Sequence, residues 1–188
     1  MSPAEYLSIS KAVRCLRDGA VIAYPTEAVY GLGCDPANKA AVEKILQMKN
    51  RPASAGMILI ADRFDFFEPF IEPVSSELLE RAMSTWPGPV TWLFPRAEGV
   101  PDWLAGTHPT VAIRLTAHPV CRELSSAFSG AIVSTSANPS TAEPARSAGQ
   151  VDGFFGDALC GIVEGELGAG ERPSEIRHLA DGRVIRGG

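Results

Sequence analysis

Two basic side chains stand two positions apart in the segment KNRP, at residues 49–52. The apolar residues of the preceding stretch, 38–48, recur at helical spacing, and this register places Lys49 on the inward face of the predicted helix. Arg51 precedes Pro52, so we expect an extended backbone at Arg51. The two cations can then point into one place, where they suit a polyphosphate or a carboxylate. The alternatives are that Lys49 reaches solvent along its aliphatic stem and that the segment is a solvated basic turn.

A second polar group follows a predicted buried strand, GAIV at residues 130–133. The next five residues read STSAN, whose three hydroxyls (Ser134, Thr135 and Ser136) and one amide (Asn138) can donate hydrogen bonds to phosphate oxygens. The same residue types also form turns and cap helices, so this pattern leaves both interpretations open.

A third cation lies inside the alternating strand TVAIRL, residues 110–115. The three aliphatic residues of this strand share one face, and Arg114 lies on the other face. If Arg114 is buried it needs an anionic partner, because an unpaired buried charge is very costly. Arg186, in the terminal VIRGG, places another cation near the end of a predicted strand.

The segment PTEAVYGLG, residues 25–33, follows a short apolar run and carries both a hydroxyl and a carboxylate, at Thr26 and Glu27. It contains Gly31 and Gly33, which we expect to let the backbone turn sharply before the next helix. Ordinary turn formation is the alternative role for these glycines.

Helical and strand patterns alternate along the rest of the chain. Helices are predicted near residues 4–17, 38–48, 75–86, 120–128 and around 151. Strands are predicted at 21–24, 56–61, 89–95, 110–115, 130–133 and 159–163, and a closing hairpin turns at Asp181 and Gly182. Buried and alternating strands mixed with helices indicate an α+β fold, a mixed sheet covered by helices. Because no repeat or linker interrupts the pattern, residues 1–188 are predicted to form a single domain.

The totals exclude several classes of protein. The net charge of -5 and the pI near 5.2 are not those of a nonspecific polyanion binder, although a local basic groove is compatible with them. No apolar run approaches the roughly 18 residues of a membrane span and no basic-apolar leader opens the chain, so we expect a cytoplasmic protein with no membrane contact.

The cysteines and histidines show no metal-binding spacing, so no protein-built metal site is predicted. The four cysteines are far apart in sequence, and we expect them to be small, semi-buried and reduced. They are Cys15, Cys34, Cys121 and Cys160.

Hydroxyls, an amide and at least four cations therefore stand at predicted strand ends in an acidic protein. This composition fits a cleft for a small, highly anionic ligand such as a nucleotide. The chain contains neither GxxxxGK[ST] nor GxGxxG, so the predicted site is neither a P-loop nor a Rossmann site.

The order of these motifs closely resembles that of the YrdC-type threonylcarbamoyl-AMP synthases. PTEAVYGLGCDP, KNRP, VAIRL, STSAN and a terminal PSEIR…IRGG follow one another from about residue 5 to the C-terminus. The chain stops after an Arg-Gly pair, and so resembles the short, single-domain bacterial form. The resemblance implies a YrdC-like fold, in which a twisted mixed sheet with helices has a concave, positively charged cleft.

The implied reaction converts L-threonine, bicarbonate and ATP into threonylcarbamoyl-AMP and pyrophosphate. Partner enzymes then transfer the threonylcarbamoyl group to the adenosine beside the anticodon of tRNA. By the same resemblance, Mg²⁺ accompanies ATP through its phosphates and waters, which agrees with the lack of a metal-binding pattern. The competing interpretation is a non-catalytic module whose cations grip tRNA or double-stranded RNA, although the chain lacks aromatics interleaved with its basic residues.

The resemblance also assigns site residues. The catalytic KxR and SxN tetrad corresponds to Lys49, Arg51, Ser136 and Asn138. The threonine and carbamate pocket corresponds to Thr26, Tyr30, Arg114 and Ser174. The nucleotide would contact the tetrad together with Ser134 and Arg186. In this scheme Glu27 orders its loop, with a role as general base as the alternative.

Three positions depart from the family pattern. Ala55 stands where a lysine is frequent, Thr141 replaces a glycine after the SxN motif, and Glu175 replaces a threonine after Ser174. None of them falls within KxR or SxN, so they bear on rate or affinity and not on the class of reaction.

Overall fold

The apolar runs of the sequence form one mixed sheet in the computed structural model, which describes residues 4–187. Residues 1–3 and residue 188, at the two ends of the predicted single domain, lie outside the described residues. The strands are β1 (Tyr6–Leu7), β2 (Ile22–Pro25), β3 (Tyr30–Gly33), β4 (Ile58–Ala61), β5 (Val90–Pro95), β6 (Thr110–Leu115), β7 (Ile132–Ser136), β8 (Gly161–Val163), β9 (Glu175–His178) and β10 (Val184–Arg186). Their order across the sheet is β1-β8-β2-β3-β7-β4-β6-β5-β9-β10.

Parallel and antiparallel pairs alternate irregularly across this sheet. β8 pairs in parallel with β1 and β2, β4 with β6, and β5 with β9, whereas β3 pairs antiparallel with both β2 and β7. The closing hairpin is present as predicted, with β10 antiparallel to β9. The prediction of a mixed sheet is confirmed.

Six helices lie between the strands in the described range: α1 (Ile9–Arg17), α2 (Lys39–Lys49), α3 (Ser76–Met83), α4 (Asp102–Ala105), α5 (Pro119–Phe128) and α6 (Ala148–Phe155). α2 begins where the sequence predicts, because the Asn38 side chain accepts a hydrogen bond from the Ala41 amide at 3.0 Å. It ends at Asn50, whose backbone is left-handed, with a φ of 49°. The next residue, Arg51, is thereby turned away from the helix axis.

Both faces of the sheet are buried. On one face, Ile22 and Ile60 pack against Leu16 of α1 and Leu124 of α5. The opposite face forms a larger core that includes residues of α2, α3 and α6 together with the alternate residues of the same strands. The polar residues at the strand ends are therefore held by a framework whose two sides are both packed.

The prediction of a sharp turn at Gly31 and Gly33 is wrong, because both glycines lie in β3. A Cβ at Gly33 would lie 2.6 Å from Tyr24 Cε1 and 2.7 Å from the Val133 carbonyl oxygen. Glycine is required there by the close approach of neighbouring strands, and the two glycines among the four residues of β3 concealed the strand in the sequence.

The prediction of four reduced cysteines is also wrong. Cys15 on α1 and Cys160, which precedes β8, form a disulfide with a Cα–Cα distance of 6.3 Å. The parallel pairing of β8 with β1 and β2 brings these distant positions together, and such pairing cannot be read from cysteine spacing. Cys34 and Cys121 are free and buried, and burial raises the pKa of both thiols.

No helix within residues 4–187 is long and apolar enough to cross a membrane.

Candidate functional site

A pocket of about 510 Å³ opens where the predicted site residues meet. Its wall combines the β2–β3 connection, the turn after α2, the end of β7 and the C-terminal hairpin. Eight of the ten residues predicted for the site line it: Thr26, Tyr30, Arg51, Arg114, Ser134, Ser136, Ser174 and Arg186. The other two, Lys49 and Asn138, lie behind this lining.

Arg114 is buried and has the anionic partner that its position required. Its Nη2 lies 3.4 Å from Glu27 Oε2, and Glu27 Oε1 accepts a hydrogen bond of 2.6 Å from the Thr116 hydroxyl. Burial alone would raise the pKa of Glu27, but the Arg114 guanidinium and the Thr116 hydroxyl together lower it below its ordinary value. Glu27 is therefore held as a carboxylate. The Arg114 Nε is buried without a hydrogen-bond partner in the structure.

Arg51 is fixed by the turn that follows it. Its Nη2 donates to the carbonyl oxygens of Ala55 and Gly56, at 3.2 and 2.9 Å, and Nη1 approaches the Thr135 hydroxyl at 3.4 Å. These contacts fix the guanidinium of Arg51, which lines the pocket. A phosphate or carboxylate could approach it there without reorganising the turn.

The C-terminal hairpin adds a further cation to the pocket. Arg186 of β10 donates from Nη2 to the Ser174 carbonyl oxygen at 2.8 Å. The Ser174 hydroxyl is within 3.1 Å of the Thr91 hydroxyl on β5. The parallel pairing of β5 and β9 thus brings residues 91 and 174 together.

The arginines of the pocket act on one another. Burial lowers the pKa of Arg186, and Arg114 and Arg51 lower it further. Burial also lowers the pKa of Arg51. Positive charges that repel one another in this way are stabilised when a multiply charged anion binds between them.

Thr26 and Tyr30 line the pocket from the two ends of the β2–β3 connection. The Thr26 hydroxyl donates to the Val29 carbonyl oxygen at 2.6 Å, which closes the turn between β2 and β3. Gly168 and Gly170 pack on this turn, and their amides donate to the Thr26 and Glu27 carbonyl oxygens. The predicted pocket wall is therefore braced by a second segment.

Lys49 and Asn138 contact each other although they are 89 positions apart in the sequence. Lys49 is 3% exposed, as the helical register predicts, and Nζ donates to the Ser136 and Asn138 carbonyl oxygens and to Asn138 Oδ1 at 2.5, 2.7 and 3.2 Å. Asn138 Nδ2 donates to the Pro139 and Ala142 carbonyl oxygens. The side chain of Lys49 is therefore turned inward and does not reach solvent along its aliphatic stem.

Sequence reasoning missed two hydroxyls that support the site, those of Thr91 and Thr116. Each lies in or just after a strand whose apolar pattern hides it, and each faces a partner from a distant segment. Alternation within β5 and β6 places a threonine on a given face, but the partner becomes visible only through the strand order.

The comparisons with known proteins assign the chain to a family. The family model Sua5_yciO_yrdC, described as "Telomere recombination", matches residues 14–188. The chain belongs to the Sua5/YciO/YrdC family. A relative from Coxiella burnetii (strain RSA 493), named threonylcarbamoyl-AMP synthase, is 47% identical over 179 residues, which cover 95% of this chain and 96% of the relative. A synthase of the same name from Halorhodospira halophila is 48% identical over 171 residues, covering 91% of this chain and 90% of the relative.

Solved structures agree with the Sua5/YciO/YrdC assignment. A crystal structure of P. abyssi Sua5 in complex with L-threonine has a TM-score of 0.89 at 29% identity and covers 97% of this chain. This chain spans 57% of the length of that Sua5 chain. E. coli YciO shares the fold, with a TM-score of 0.82 at 24% identity over 99% of this chain and 95% of its own.

The donor set of this Sua5/YciO/YrdC pocket does not fit a resident metal ion. Within residues 4–187 there is no group of three or more His, Cys, Asp or Glu side chains that could hold one. The carboxylate that lines the pocket, Glu27, is already engaged by Arg114 and Thr116. A cation that reaches this pocket would have to bring its own oxygen ligands.

Proposed function

We propose that this chain is a threonylcarbamoyl-AMP synthase, a nucleotidyltransferase that converts L-threonine, bicarbonate and ATP into threonylcarbamoyl-AMP and pyrophosphate. The observation that carries the proposal is the convergence of Arg51, Arg114 and Arg186 on one pocket. The named relatives that match nearly the whole chain support the same reaction.

The charges divide the pocket into two parts. Arg114 lines the pocket together with Thr26 and Tyr30, and we place the threonine carboxylate or the carbamate at these residues. Arg51 and Arg186 line the same pocket as Ser134 and Ser136 of β7, and we place the phosphates of ATP at these two arginines. On this arrangement the pocket is a basic cleft, in which Glu27 holds Arg114 in position.

The chemical step joins two anions. The threonine amine and bicarbonate give a carbamate and water, and a carbamate oxygen then attacks the α-phosphorus of ATP. The new oxygen–phosphorus bond forms as the bond from the α-phosphorus to the bridging oxygen breaks, and pyrophosphate leaves with the electron pair. The task of the pocket is to align the reactants and offset their repulsion, for which fixed guanidinium groups are suited.

Mg²⁺ belongs to this scheme as the counter-ion of the substrate ATP, held by phosphates and water. The lowered pKa of Glu27 and its ion pair with Arg114 make it a positioning group and not a general base. We further propose that the product is handed in the cytoplasm to a partner enzyme that modifies tRNA.

The decisive experiment is mass spectrometry after incubation with Mg·ATP, L-threonine and ¹³C-bicarbonate. We expect a threonylcarbamoyl-AMP ion carrying the label, which disappears when threonine or ATP is omitted. Arg114→Gln should abolish the ion, whereas Arg63→Gln should not, because Arg63 is an exposed side chain that contacts Asp65. ATP cleavage without incorporation of the label would refute the proposal, as would binding of RNA with no labelled product.

A further inference from the structure

Lys49 has no free proton to offer a substrate. Three oxygen atoms surround Nζ: the carbonyl oxygens of Ser136 and Asn138 and the side-chain oxygen of Asn138. An ammonium group has three N–H donors, so this set of acceptors uses all of them. Lys49 is also buried, and it lies behind the residues that line the pocket.

The backbone of Lys49 is joined to the same segment from the other side. The amide and the hydroxyl of Ser140 both donate to the Lys49 carbonyl oxygen, at 2.9 and 2.6 Å. The C-terminal end of α2 is thus linked to residues 136–140 through the Lys49 side chain and through its carbonyl group. Ser136, whose carbonyl oxygen Lys49 binds, lines the pocket directly.

We infer that Lys49 is a positioning residue, a protonated clamp that fixes the 136–140 turn and thereby aims Ser136 and its neighbours at the anion, without contacting the anion itself. The identity of the anion that the turn binds rests on the proposed function. The clamp itself rests only on the hydrogen bonds of Lys49. It separates Lys49 and Asn138 from Arg51, which lines the pocket and whose three hydrogen bonds to protein engage only part of its five N–H donors.

Protonation is essential to this clamp. A neutral amine has two N–H donors and a lone pair, so one of the three oxygens would face that lone pair. Burial, followed by the charge on Arg51, lowers the pKa of Lys49 to about 8. The 136–140 turn has no titratable side chain. Asp102 of α4, which packs against α2, is paired with Arg96. Within the described residues no carboxylate pairs with Lys49.

The sign of the pH effect distinguishes the clamp from a general loss of stability. The pKa of Lys49 is lower in the folded chain than in the unfolded chain, so its charge disfavours folding below pH 8, and this cost is relieved as the pH rises from about 8 to 10.5. The clamp, in contrast, needs the protonated amine, and it is lost as the pH rises through the Lys49 pKa of about 8. Local opening of the turn should therefore increase while the contribution of Lys49 to global stability improves.

Hydrogen exchange of the Ser140 amide, followed by NMR on the protein without substrates, tests the clamp. In the wild type we expect its protection factor to fall at least tenfold between pH 7 and pH 9.5, while that of the Ile113 amide in β6 stays constant. Lys49→Met should lower the Ser140 protection at least tenfold at pH 7. Lys44→Met is the matched control, because Lys44 is an exposed lysine of the same helix, and it should change nothing.

Binding of inorganic pyrophosphate provides the second measurement. If Lys49→Met abolishes pyrophosphate binding while Ser140 protection is unchanged, Lys49 is a direct ligand and the inference is wrong. A wild-type Ser140 protection factor that does not vary with pH also overturns it, and this result needs no variant that must fold. Because the exchange measurement uses no substrate, its failure would leave the proposed reaction intact, and absence of the labelled product would leave the clamp intact.

Discussion

The Arg114 guanidinium and the Glu27 carboxylate lie 3.4 Å apart at the pocket, and both side chains are largely buried. The pair leaves the arginine half satisfied, since its Nε has no partner. Glu27 thus neutralises part of the charge and fixes the orientation of the side chain. A ligand carboxylate would meet an arginine that is already ordered.

Replacing Glu27 by Gln should weaken both stability and threonine binding. Removing one partner of a buried ion pair leaves an uncompensated charge, and we expect the free energy of unfolding to fall by about 2–3 kcal/mol, below the fully buried range because Glu27 retains some solvent contact. The KM for threonine should rise about tenfold, which corresponds to about 1.4 kcal/mol. Urea unfolding and steady-state kinetics measure the two effects. Glu43→Gln, which breaks only an exposed pair with Lys39, should leave both unchanged.

The same ion pair predicts that the stabilising contribution of Glu27 decreases at acid pH. The pKa of Glu27 is lowered on folding, so its contribution is fully present above the unfolded value of 4.5 and is lost as the pH falls through the folded value. The difference in unfolding free energy between wild type and Glu27→Gln should be constant above about pH 5.5 and shrink below pH 4.5. A difference that grows on acidification would contradict the ion pair.

Arg51 should be the most sensitive pocket cation for chemistry. Its fork is held by the Ala55 and Gly56 carbonyl oxygens, so it offers a fixed charge to the phosphates. In Arg51→Ala, ATP–pyrophosphate exchange that depends on threonine and bicarbonate should fall at least ~10²-fold, on the scale of lost transition-state electrostatics. Isotope exchange measures it, with Arg63→Ala as the exposed control. A variant with the wild-type rate would remove Arg51 from the mechanism.

The close approach at Gly33 predicts a large effect of one methyl group. A Cβ there would lie 2.6 Å from Tyr24 Cε1 and 2.7 Å from the Val133 carbonyl oxygen, so strands must separate to accept it. Gly33→Ala should cost about 1–3 kcal/mol in unfolding free energy, as overpacked cores do. Gly149→Ala in α6 has open space around its Cβ and should instead stabilise the protein by up to about 1 kcal/mol. Equal effects of the two changes would show that β3 does not pack as described.

Periodicity predicted the positions of long elements and the burial of single residues. The register of α2 placed Lys49 inward, and the alternation of β6 together with the cost of a buried charge required an anion beside Arg114. The strand order could not be derived in this way, because it depends on contacts between distant segments. For that reason β3, the Cys15–Cys160 disulfide and the partners of Lys49 became visible only in the structure. The pocket follows from the same order, which brings eight of the predicted residues to one pocket.

The last cation of the pocket, Arg186, lies on the edge strand β10, where its role can be separated from the stability of the core. Its Nη2 donates to the Ser174 carbonyl oxygen, and the neighbouring guanidinium groups of Arg114 and Arg51 lower its pKa, so the three charges share one field. Arg186→Gln should keep the neutral hydrogen bond but remove the charge. We expect the Kd for Mg·ATP to rise about tenfold, or about 1.4 kcal/mol, and its salt dependence to become weaker. Isothermal titration at two salt concentrations measures both.

Arg183→Gln is the matched control, because Arg183 belongs to the same hairpin but is exposed and interacts only loosely with Asp181. If both variants bind Mg·ATP equally well, the hairpin does not contribute to the nucleotide site.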